Sequence, residues 1–145
     1  MKKIITVFAL FITTLSMAQL TVKDVKDPEV IGEYKTMGVL FGKLEKKDAD
    51  TYEFTYKDIK FKTVATYKSF EFQASDLDAL HQILTQTEGI NAGEEKEVDL
   101  GNGHVLNIVY KKSMGKIWSM VYHTYLGVTG EFSFQPKHYN KMFGK

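Results

Sequence analysis

The residues in this chain with the most chemical reach are four histidines, His81, His104, His123 and His138. His123 leads them, because a last hairpin turning at Gly127 would set it opposite Glu131. A carboxylate beside an imidazole can orient the ring as a general base, and the two together can serve as metal ligands. A small hydrolase or metal-dependent enzyme using His123 and Glu131 is therefore one expectation. Catalysis also needs a nucleophile or substrate group in a cleft, so a plain cross-strand polar pair is the simpler account. His81 lies beside the apolar face of a predicted helix, with no partner at metal spacing. His104 opens a strand next to a turn and is expected to be exposed. His138 keeps the company of Lys137 and Lys141. No metal site and no cofactor follow from these positions.

Other motifs are weaker. Gly101-Asn102-Gly103 lacks the spacing and the Lys-Ser/Thr of a phosphate loop and precedes a strand, so it reads as a hairpin turn. Ser69, Ser75, Ser113, Ser119 and Ser133 stand in no Gly-x-Ser-x-Gly elbow. Glu94, Glu95, Glu97 and Asp99 form an acidic run without the pattern of a calcium loop, as expected for a solvated edge. The chain has no cysteine. That removes disulfides, thiolate nucleophiles, cysteine-containing metal sites and lipidation at a cysteine. Trp118, Tyr122 and Tyr125 remain as candidates for a ligand groove, since aromatic faces serve many ligands; large buried area in a core is the competing role.

The N-terminal residues read as a cleaved signal peptide over 1–18. Lys2 and Lys3 supply the positive start, Ile4 to Leu15 the apolar stretch, and Ser16-Met17-Ala18 the small residues before a cut ahead of Gln19. The apolar stretch is shorter than the ~20 residues an anchor needs. No later run is apolar enough to span a membrane, because charge interrupts each one. The expected mature protein, residues 19–145, is a single exported domain, periplasmic or extracellular. It carries 17 Lys against 18 Asp and Glu, with no Arg. That balance gives no general attraction to nucleic acid and argues against a role resting on a polybasic membrane patch. Without Arg, bidentate clamping of phosphate is also less accessible.

The elements that would position these residues follow from hydrophobic spacing. Residues 19–31 read as a lead-in and 33–45 as a strand, turning at Lys46 to Asp50. Tyr52, Phe54 and Tyr56 alternate with polar residues, and the phase flips at Ile59 and Phe61. A tight hairpin at Lys57-Asp58 or a bulge at Asp58 would explain the flip, with the strand running on to Phe72. Ser75 as N-cap, Asp78 after it and Gly89 at the end predict a helix over 76–88. Four locally connected strands follow, over 95–100, 104–112, 116–125 and 131–134, and Pro136 opens a short helix over 136–143. No internal repeat is apparent. The fold class is α+β: one antiparallel sheet of about seven strands, three before the long helix and a four-strand meander after it.

These features favour a non-enzymatic module that binds a small ligand or an envelope partner through a sheet face or open strand edge. The alternatives are the small His123/Glu131 enzyme and a carrier enclosing a hydrophobic molecule beneath the helix.

Overall fold

A computed structural model of the protein describes residues 27–145. The expected signal at 1–18, with its cut between Ala18 and Gln19, lies outside the described residues. The chain runs β1 (Glu29–Thr36), β2 (Val39–Lys46), β3 (Thr51–Lys57), β4 (Tyr67–Gln73), a single 3-10 turn and α1 (Leu77–Thr85). It continues through β5 (Glu95–Asp99), β6 (Val105–Ser113), β7 (Lys116–Tyr125), β8 (Val128–Phe134) and α2 (Pro136–Met142). The α+β class holds. The expectation of about seven strands in one sheet does not: among the described residues there are eight, in two four-stranded antiparallel sheets ordered β1-β2-β3-β4 and β5-β6-β7-β8.

Two differences account for the miscount. Residues 33–45 hold the end of one strand and most of a second, joined at Met37-Gly38, both with positive φ (51° and 78°). Left-handed two-residue turns favour Asn or Gly at the first position, so a Met there hides the turn. The phase flip after Tyr56 is likewise neither hairpin nor bulge. Residues 58–66 form a loop, and β3 pairs with β4 so that Phe54 faces Phe70 and Tyr56 faces Lys68. A tight hairpin at Lys57-Asp58 would set Ile59 opposite Tyr56 and Phe61 opposite Phe54; instead Ile59 and Phe61 lie in the loop and are exposed.

The long helix begins later and ends earlier than 76–88. Asp76 occupies its N-cap without a capping side-chain bond, and Ser75 does not cap it. Thr85 turns its hydroxyl back to the His81 carbonyl, and Gln86 is already extended, so Gly89 falls beyond the end. Leu80 and Leu84 are its buried residues, at the helical spacing expected of an amphipathic element.

The two sheets face one another across an aromatic core. Phe132 of β8 lies with its ring centroid 4.4 Å from Tyr56, 5.5 Å from Phe54 and 6.2 Å from Phe70. The helices pack together and close the core: Tyr110 donates to the Ile83 carbonyl, Ser119 to the Leu84 carbonyl, and Phe143 reaches Phe54. Leu44, Leu106, Ile108, Val121, Tyr139 and Met142 fill the space between. Leu80 and Leu84 of α1 join this core. α2 also lies on β1 and β2, where Gly32 and Gly42 stand. A Cβ at Gly32 would strike the carbonyls of Lys141 and Met142, so only glycine permits this close approach. Among the described residues, no helix is long and apolar enough to cross a membrane.

Candidate functional site

β7 alternates along its length, and the alternation decides what each of its residues can do. Ser119, Val121 and His123 point inward and are buried, while Trp118, Met120 and Tyr122 point outward and are half-buried. β8 pairs with it so that His123 faces Gly130, and Tyr122 faces Glu131. The expected His123–Glu131 pair is thus off by one residue. With a side-chain period of two, a one-residue slip puts the partners on opposite faces. His123 enters the core, and Glu131 stays outside.

His123 instead belongs to a polar chain between the sheets. The Tyr56 hydroxyl lies 2.8 Å from its Nδ1, and His104 Nδ1 lies 2.8 Å from its Nε2. A neutral imidazole protonated on Nε2 satisfies both contacts, accepting from Tyr56 and donating to His104. Burial, then the nearby His104 and Lys68, lowers the His123 pKa to about 4. Burial likewise pushes the Tyr56 phenol well above its usual range. His104, expected to be exposed, is partly buried, and its ring stacks on Tyr125 with centroids 4.0 Å apart. Its pKa is lowered by burial too, against an opposing pull from Glu71. His123 is buried between the sheets, and Phe70 also packs on its ring, with centroids 5.1 Å apart.

Asp58 lies beside this chain and is fully buried. Its Oδ1 accepts the backbone amides of Lys60 and Glu131, at 3.0 and 3.1 Å, and the Lys68 ammonium stands 2.9 Å from its Oδ2. Burial pushes its carboxyl up, but the Lys68 ammonium and the two amides outweigh that and hold it below the usual carboxylate range. Lys68 also donates to the Thr129 carbonyl, and the Ile59 amide donates to the Glu131 carbonyl. The loop after β3 is thereby stitched to β8. Gly130 leaves the space this requires, since a Cβ there would run into the Tyr56 hydroxyl and the Lys68 side chain. Sequence reasoning missed Asp58 because its position after Lys57 resembled a turn.

The remaining histidines serve as structural partners. His81 Nε2 meets Asn140 Oδ1 at 2.8 Å, joining α1 to α2. His138 stacks on Tyr34 at 3.9 Å, and burial with Lys137 and Lys141 lowers its pKa. Gly101-Asn102-Gly103 is the hairpin turn expected of it, and Asn102 Nδ2 donates to the Glu71 carbonyl of β4. Among the described residues, no three His, Asp or Glu side chains gather in a way that could hold a metal ion.

The outward face of β7 is a different environment. Trp118, Met120 and Tyr122 run along it, flanked on β6 by Lys111, Val109 and Asn107. At the Trp118 end the surface dips into an open cleft of about 520 Å³. Ile117, Trp118 and Pro136 give it apolar walls, and Lys112, Lys116 and Lys137 line it with ammonium groups. The β6–β7 hairpin and the start of α2 build the cleft, and the Trp118 indole points its N–H to the Ser113 carbonyl. Of the three aromatic candidates, Trp118 lines the cleft, Tyr122 lies farther along the same face, and Tyr125 belongs to the opposite face beside His104. Scanned against protein-family models, curated proteins and solved structures, the chain finds no match.

Proposed function

We propose that the protein is an exported, non-enzymatic binding module that takes an anionic, partly apolar ligand in the Trp118 cleft. The observation that carries this is the pairing of an indole wall with three lysines at one open concavity. Apolar walls with a few convergent polar groups are the usual make-up of a small-molecule site. Lysines at its rim select negative charge, and single ammonium groups suit a carboxylate as point charges. The half-buried Met120 and Tyr122 extend the surface for a longer ligand.

Trp118 is the chain's single tryptophan, so emission excited selectively from tryptophan, and not from the eight tyrosines, reports on the cleft. Titration with acidic oligosaccharides and short carboxylate-ended peptides should give a saturable change for at least one class. Lys116→Ala with Lys137→Ala should weaken it about tenfold or more. Saturable binding that survives the double substitution and leaves Trp118 emission unmoved would refute the site. Export is tested separately, by mass spectrometry of the protein from its host: an N-terminus at Gln19 is expected, and an intact Met1 in the mature pool would refute it.

A further inference from the structure

The loop over 58–66, with Tyr67 at the start of β4, and the tip of the β7–β8 hairpin lie side by side. Ile59 bonds to Glu131 and Lys68 to Thr129, while the Lys68 ammonium sits 6.0 Å from the Phe61 ring centroid. Together they present Ile59, Phe61, Val64, Tyr67, Leu126 and Val128 to solvent. Leu126 is 83% exposed, Val64 65% and Val128 59%. Apolar side chains exposed together in this way mark interaction surfaces. Lys60 and Lys62 alternate with the apolar residues of the loop and are exposed, and Lys57 precedes it. None of these three lysines forms an ion pair among the described residues. The one acid within the loop, Asp58, is buried against Lys68. The near-neutral whole-chain charge therefore conceals a local positive excess beside apolar side chains.

We propose that this patch docks the protein on an anionic lipid surface. Phe61, Val64 and Leu126 enter the interfacial layer while Lys57, Lys60 and Lys62 face the headgroups. Two features favour a bilayer over a protein partner. The apolar residues project from a loop and a hairpin tip instead of lining a groove, which suits a soft surface that closes around them. Lys57, Lys60 and Lys62 outnumber the one neighbouring partly exposed acid, Glu131, so the charge at the patch is net positive and complementary to acidic headgroups, and amphipathic elements bind anionic membranes by this combination. The patch is separate from the Trp118 cleft, which borders the opposite end of β7.

The absence of cysteine makes the test local. Val64→Cys, Leu126→Cys and Met114→Cys, each in the full chain, accept one environment-sensitive fluorophore. Vesicles of phosphatidylcholine with about one-third phosphatidylglycerol should blue-shift the probe at 64 and 126 and leave it unmoved at 114, a still more exposed turn residue at the other end of β7. Lys60→Glu with Lys62→Glu should weaken vesicle binding, read at the position-64 probe, about tenfold or more. No shift at 64, an equal shift at 114, or equal binding to pure phosphatidylcholine would overturn the proposal. So would a concentration-dependent dimer that Phe61→Ser with Val64→Ser abolishes, since the patch would then belong to a second copy.

Discussion

Asp58 has no exposed surface, and its carboxylate joins three partners from different parts of the chain. Removing one member of a buried ion pair strands the other, so Asp58→Ala should destabilise the protein by about 3 kcal/mol in urea unfolding. Asp78→Ala, which breaks only an exposed pair with Lys145, should leave the midpoint unchanged. His123 makes the protein sensitive to acid. Its folded pKa lies near 4, below the usual 6.5, so between those values the unfolded chain binds more protons than the folded one. Stability should therefore fall as pH drops from about 6.5 toward 4, by on the order of 3 kcal/mol. Asp58 adds a further loss at lower pH, as its own depressed carboxyl takes up a proton. Melting temperatures across that range test this: His123→Gln should be less stable at pH 7, with a flatter profile below it. At this scale the sequence was a poor guide. Nothing local distinguishes a buried Asp58 from a turn residue, and a one-residue error in register moved His123 away from Glu131.

The strands themselves were more legible. β7 was readable end to end because its apolar residues crowd both faces, and Pro136 marked α2 because proline suits a helix start. What escaped was the turn at Met37-Gly38, whereas the turns at 113–115 and at Gly127 were expected. Three hairpins turn on a large apolar residue followed by Gly: Met37-Gly38, Met114-Gly115 and Leu126-Gly127, each apolar residue near φ 50°. Side chains with a Cβ resist that conformation, and Asn tolerates it best. Met37 and Met114 are 98% and 97% exposed, so no packing compensates them. Met37→Asn and Met114→Asn should each stabilise the fold by about 0.5–1 kcal/mol, read as a rise in melting temperature.

Across the whole molecule, the two sheets depend on each other. Phe132 touches both through Phe54, Tyr56, Phe70 and Phe134. Phe132→Ala should cost about 3–5 kcal/mol. Trp118 fluorescence, which reports on the second sheet, and far-ultraviolet circular dichroism should still unfold at one midpoint in that variant; separate transitions would show that the sheets fold independently. The sequence revealed the four-strand meander after the long helix. It could not reveal the second sheet, because which strands face each other depends on contacts far apart in the chain.

The order of elements has one more consequence. Each half of the described chain is a four-strand meander followed by a helix, and Phe70-Glu71-Phe72-Gln73 and Phe132-Ser133-Phe134-Gln135 end the two meanders in matching terms. Gln73 and Gln135 even share their backbone angles, near φ −73° and ψ 150°. The halves meet through residues 86–94, and each supplies the apolar face the other needs. A second molecule could supply that face equally well, so the tether alone keeps the contact within one chain. Removing residues 86–89, which leaves buried Ile90 and the Gly93 and Glu94 bonds to Tyr110 in place, should convert the contact into an exchange between two copies, visible by gel filtration as a doubling of mass relative to the unshortened chain with the same circular dichroism.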